Sequence, residues 1–229
     1  LFLPLFQSFF FPIELEARES TLWLHILTIK EGINIYKGEL VAYANQAHGP
    51  IDPIFKYIIH FFFNFLEPWQ VSRLNNIVLF FLIFLINIIS IKKKGKILFS
   101  LFLSVLIYSL IFLFTKSFQG RADITAMLLI SILCFLCAKR NIYEQRLNSI
   151  VVPIIFSLTV LTNWRFLPAC LLIAFYPLFL SKNLSDLFSK DKCFNLSKFL
   201  LISFLPFFFI LYFLFDLNLN KYSDYFLTF

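Results

Sequence analysis

The stretch PIELEARESTLWLHILTIKEGINIYKGELVAYANQAHGPIDP, Pro12 to Pro53, is the one long polar interval in an otherwise apolar chain. It carries Glu14, Glu16, Glu19, Glu31, Glu39 and Asp52, six of the thirteen acidic residues. It also carries His25 and His48, two of the three histidines. Polar chemistry concentrated in a single loop marks that loop as the expected reaction centre, with the apolar remainder as its scaffold.

Composition fixes what kind of scaffold. Hydrophobic residues make up 60% of the 229, charged residues 14%, and there are 34 Phe against 5 Gly; mean hydropathy is +0.83. Soluble domains run at about 45–50% apolar and about 25% charged. The expected fold is therefore all-α, a polytopic transmembrane helical bundle forming a single domain over 1–229. Residues 12–70 form its outward catalytic loop with juxtamembrane helices, and about 71–215 form six transmembrane helices. The chain begins at Leu1 inside an apolar run and stops at Phe229 just after another, so further N- and C-terminal parts are expected.

Residues 1–11 read as the tail of a first span. In Ser20–Glu31, Leu22, Ile26 and Ile29, with Trp23 and Leu27 beside them, make an apolar stripe at helical spacing. Gly32 follows as a C-cap. A helix of that length is too short for a ~30 Å hydrocarbon core, and its Trp favours the interface. A Gly49-Pro50 turn then leads to Asp52 as N-cap and Pro53 as first helical residue of a second short helix, ending at Glu67-Pro68. Full spans are expected at about 71–91, 97–115, 122–138, 148–162, 166–181 and 199–215, with Asn163, Trp164 and Arg165 as a tight hairpin turn.

Charge orients the spans. Lys92, Lys93, Lys94, Lys96, Lys139, Arg140, Arg146, Lys182, Lys190, Lys192 and Lys198 all fall on alternate loops, beside only Glu144, Asp186 and Asp191. By the positive-inside rule those loops are cytoplasmic. The acidic loop, 116–123, the Asn163 turn and the tail from Asp216 then face outward. The net charge of +7 is thus a matter of membrane orientation, and no nucleic-acid partner is implied. Cys134 and Cys137 form a CxxC inside LLISILCFLCA, where buried thiols of a lipid-facing helix explain them. No HExxH, His/Cys cluster or Gly-rich phosphate loop suggests a metal or nucleotide cofactor.

The candidate catalytic residues are Glu16 and Glu19, just past the first span and one helical turn apart. A carboxylate at an interface with restricted water can act as general base toward a hydroxyl; the same residues also make an ordinary solvated helix start favoured by the dipole. Arg121 and Arg165 are suited to holding a phosphate bidentately, or serve as snorkelling anchors. His48 in AHGPID either touches substrate or satisfies the turn, whereas His25 and His60 read as structural.

Taken in order, these features resemble a known family. They are the outward acidic motif, a short helix closing on G-x-x-x-Y (Gly32 to Tyr36), a GP turn, Arg73 in Trp69-Gln70-Val71-Ser72-Arg73-Leu74, R-x-D at Arg121-Ala122-Asp123, and Arg165 in a later hairpin. The chain is similar to the polytopic GT-C glycosyltransferases, in particular the dolichyl-phosphate-mannose protein mannosyltransferase and lipid A aminoarabinose transferase group. The resemblance implies a polyprenyl-phosphate-linked sugar donor, a lipid, glycan or protein acceptor, and an acidic residue of the first outer loop as base. It places Glu19 as the second member of the family's Asp-Glu pair. Arg18 stands where the first would be, a departure that Glu16 can make good. Substrate contacts are assigned to Arg73, Arg121, Asp123, Arg165 and His48, with Arg165 where relatives often carry Lys near the donor phosphate. The Phe-, Ile-, Lys- and Asn-rich composition points to an AT-rich genome and a bacterial inner membrane.

A transporter or flippase is the main competing class. Such proteins carry ionisable residues at mid-membrane, and the interiors of the expected spans hold no Asp, Glu, Lys or Arg. A lipid-linked glycan polymerase or ligase would place its main loop late in the chain, and a scaffold would not gather acids in one loop. The orientation is directly checkable: cysteines introduced near Lys93 and Lys190 are expected to be shielded from an impermeant outside reagent, and one near Gln46 to label. External labelling at Lys93 would overturn the arrangement.

Overall fold

The computed structural model describes residues 10, 19–34, 49–93, 123–137, 148–179 and 190–215. Among these the chain is all helical, with no strand. Its helices are α1 (Glu19–Lys30), α2 (Ile51–Phe62), α3 (Pro68–Lys93), α4 (Asp123–Cys137), α5 (Asn148–Thr162), α6 (Leu167–Phe179) and α7 (Lys190–Phe215), with a 3₁₀ turn at Trp164–Phe166 between α5 and α6. The apolar start of the chain (Phe10 apart), the expected span at 97–115 and the loops carrying Lys94, Lys96, Lys139, Arg140 and Arg146 lie outside the described residues.

Local chemistry accounts for the helix ends. Gly32 takes φ +70° after α1, with its N–H bonded to Ile29 and that of Ile33 to Thr28. That is a Schellman cap, a geometry glycine enters without a Cβ penalty. Pro68 opens α3, where its missing N–H costs nothing. Two boundaries differ from expectation. Helix α2 starts at Ile51 with Pro50 as its cap residue, and Asp52 makes no cap, because its carboxylate is taken by partners inside the fold. It also ends at Phe62, before Glu67-Pro68: Phe63 leaves the helix at φ −120°, ψ 52° while its N–H still reaches Ile59. Helix α7 extends back to Lys190, taking in basic residues read from sequence as a loop.

Helix α4 is the central post. Twelve of its fifteen residues are buried, on every face, as expected of an element hydrophobic all round. Leu79 and Ile83 of α3 pack on its Ile124, Met127 and Leu128. Its other side joins α5, α6 and α7 through Leu133, Cys134, Val152, Cys170, Ala174 and Phe199. The CxxC thiols therefore face protein rather than lipid, which corrects the lipid-facing reading: every side of α4 already has a helix against it. Phe199 anchors the outlying α7, its ring 5.3 Å from Phe156 and 5.4 Å from Phe175. Two stretches, Pro68–Ile89 and Cys193–Leu214, are long and apolar enough to cross a membrane; the second is only 11% buried.

Helices α1 and α2 pack on one another and on α3. They are tied to one end of the bundle. Asn34 after α1 donates to the carbonyls of Phe213 and Leu214 near the end of α7, at 3.4 and 3.2 Å. Gly49 donates its N–H to Thr162 at the end of α5, at 2.8 Å. That approach leaves no room for a side chain, since a Cβ on Gly49 would lie 1.5 Å from the carbonyl oxygen of Leu161. Because the obstacle is backbone, Gly49→Ala is expected to cost at least the ~1–3 kcal/mol typical of overpacking, read as a lowered melting temperature of the purified protein. Wild-type stability in that variant would refute the close approach.

Candidate functional site

The end of the bundle that carries α1 and α2 is where the described polar groups converge. Asp52, in the first turn of α2, pairs with Lys56 one turn on, Oδ2 to Nζ 2.7 Å, both side chains fully buried. Its other oxygen, Oδ1, accepts the Thr125 hydroxyl from the first turn of α4 at 2.5 Å. Asp123, two residues before Thr125 and 7% exposed, accepts the Nδ2 of Asn163 at 2.8 Å. The Oδ1 of Asn163 in turn accepts the N–H of Arg165, so one side chain closes the α5–α6 hairpin and binds it to the start of α4.

A second buried cation lies on α3. Arg73 is 1% exposed, its guanidinium carbon 5.1 Å from the Trp69 ring centroid and 5.7 Å from that of Trp23 on α1. Both distances fall within the ~6 Å reach of a cation–π contact, which gains strength when desolvated. His25 and His60 are also buried.

The expected site residues separate as follows. Glu19 opens α1, its backbone four positions ahead of Trp23. Asp123 lies in the buried polar cluster. Arg73 is buried beside Trp23 and Trp69 rather than at the surface. Arg165 is exposed on the 3₁₀ turn, held by its backbone with the side chain at the surface. Glu16, His48 and Arg121 lie outside the described residues; His48 immediately precedes Gly49, and Arg121 is two residues ahead of Asp123.

The sequence reading missed Asp52 with Lys56 as an ion pair, Thr125 as the hydroxyl donor to Asp52, and Asn163 as the donor to Asp123. The available signal was an acid and a base at i, i+4 on a helix with few other polar residues. Among the described residues no group of three His, Cys, Asp or Glu side chains is placed to hold a metal ion. The ends brought together here belong to the loops that charge alternation places on one side. At the opposite end, Lys198 donates to Ser149 at 2.8 Å. Compared with known proteins, the chain matches no family model, no curated protein and no solved structure.

Removing one partner of a buried ion pair leaves an uncompensated charge, which typically costs about 3–5 kcal/mol. Asp52→Asn and Lys56→Met should each lower the melting temperature of the purified protein accordingly, and the double variant should lose less than the two single losses added together. Strict additivity would show that the pair is not coupled.

Proposed function

We propose that the protein is a multi-pass membrane glycosyltransferase. It moves a sugar from a polyprenyl-phosphate-linked donor to a hydroxyl of a lipid, glycan or protein acceptor at the outer face of a bacterial inner membrane. The observation that carries this reading is the set of charges Asp52, Lys56, Arg73 and Asp123, buried at one end of an apolar helical bundle where the acidic first loop is bound. Support for the membrane itself comes from the alternation of basic loops, the two long apolar helices and the exposed apolar flank of α7.

In the proposed reaction, Glu19 or Glu16 takes the proton from the acceptor hydroxyl, and the freed oxygen attacks the anomeric carbon of the donor. The bond from that carbon to the phosphate oxygen breaks, and the lipid phosphate leaves with the electron pair. Arg165 and Arg121 face the charge that develops on it, the electrostatic contribution that is usually largest in such transfers. Arg73 and the Asp52–Lys56 pair hold α1 and α2 in register, and with them the helix that Glu19 opens.

The test is transfer from a radiolabelled polyprenyl-phosphate sugar by the protein in nanodiscs. A general base contributes about 10²–10⁴-fold, so Gln in place of the true base should slow turnover by that factor and spare donor binding. Glu19 is the first choice and Glu16 the second. Arg165→Ala should weaken donor use with little loss of stability, because a surface arginine contributes little to folding. Normal rates in Glu16→Gln, Glu19→Gln and the double variant would sink the mechanism.

A further inference from the structure

Helices α5 and α7 run parallel. Ser149 meets Lys198, and both Pro153 and Ser157 meet Ser203, so positions advance together along the two chains. Between them, on the half of the pair nearer α1 and α2, lies a groove of about 240 Å³. Phe156, Val160 and Leu161 form one wall, Leu200, Phe204 and Phe207 the other. Ser157 and Ser203 also line it, but both hydroxyls are spent on backbone: Ser157 donates to the carbonyl of Ser203, and Ser203 to that of Pro153 at 3.4 Å. The groove therefore offers a ligand no free hydroxyl and is apolar along its length.

Its shape selects the occupant. Leu200 and Phe207 are seven steps apart, about 10 Å along the helix axis, so the groove is elongated in the direction in which α7 would cross a bilayer. A second helix, ~10–12 Å across with its side chains, does not enter a slot of this volume. The space does exceed the ~150 Å³ of an engineered apolar cavity that admits benzene, enough for a flexible hydrocarbon chain. The groove opens outward, since its wall residues Leu200 and Phe204 are themselves exposed, and Leu201, Phe208 and Phe213 are exposed elsewhere on α7.

We infer that this groove holds one acyl chain of a bilayer phospholipid as a resident ligand, packed between α5 and α7 beside the Gly49 contact at Leu161. The inference rests on the membrane reading above and is independent of the transfer reaction. A chain seated there fills the space that separates α7 from α5 and stiffens the helix whose end Asn34 holds.

The test uses a phosphatidylglycerol with a diazirine in its acyl chain, photolysed with the protein in nanodiscs. Label is expected on the peptides covering 156–161 and 200–207. Leu200→Trp or Val160→Phe, each filling the groove, should remove most of that label, because the added ring atoms occupy the space a chain needs. Leu201→Trp, on the exposed flank, should leave it unchanged. Label on Phe208 and Phe213 equal to that in the groove, or unaffected by both filling variants, would overturn the site. So would displacement of the probe by a polyprenyl phosphate at concentrations where unlabelled phosphatidylglycerol does not compete. Absence of label from every exposed face of α3 and α7 would instead refute the membrane reading, and this site with it.

Discussion

A carboxylate taken fully out of water must be matched on both oxygens, and Asp52 meets that demand only when two helices are in place at once. Lys56 comes from its own helix and follows automatically once α2 winds. Thr125 comes from α4, the post around which the rest of the bundle packs. The second requirement turns a local ion pair into a tertiary constraint: α2 can sit against the start of α4 at one height and in one rotation. A neighbouring contact sets the same limit sterically, since Gly49 lies so close to Leu161 that no side chain is admitted. One electrostatic and one steric condition thus fix where the first loop joins the bundle.

Below that junction the physical chemistry changes. Helix α4 carries Asp123 and Thr125 in its first turn and then an almost uninterrupted apolar surface down to Cys137, with Ser131 as the main exception. Asn87 of α3 donates to the Ser131 hydroxyl at 3.5 Å and to its own helix at Ile83, which keeps that polar layer inside the fold. Among the described residues the buried charges Asp52, Lys56, Arg73 and Asp123 sit at that end, and the packing below them is mainly apolar. Confinement of this kind suits a site that must exclude water while remaining open at one end, because a charge is felt most strongly where the surrounding dielectric is low.

Much of the architecture was legible in the residues. Five of the six expected spans fall on described helices, of which α3 and α7 are long and apolar enough to cross a membrane and α4, α5 and α6 are shorter; the tight Asn163 hairpin was visible because so few residues separate two apolar runs. Gly32 announced its cap. What escaped was long-range. Asp52 before Pro53 is a good local N-cap pattern, and nothing within α2 reveals that a threonine more than seventy positions later competes for the carboxylate. The CxxC was read as lipid-facing because hydropathy cannot distinguish lipid from protein as the apolar neighbour; only the packing of α5 and α6 decides it. Asn163 looked like a turn former, and its amide bond to Asp123 depends on two helix ends meeting.

The two described arginines of the proposed site divide along the same physical line. Arg73 is desolvated, and the faces of Trp23 and Trp69 take the place of its water. Moving it onto a phosphate would require breaking those contacts and opening the packing of α1 on α3, so its charge serves best as a fixed background. Arg165 has paid no desolvation cost and stands on a turn whose backbone Asn163 already orders. An exposed cation on a turn that Asn163 orders is the one placed to meet the phosphate of the proposed reaction. In the proposed reaction the buried arginine supplies a fixed electrostatic background and the exposed one is the candidate to meet substrate. That division follows from burial, and it assigns different consequences to losing each: loosened packing of α1 on α3 for Arg73 and, if the proposed transfer holds, a weakened hold on the leaving group for Arg165.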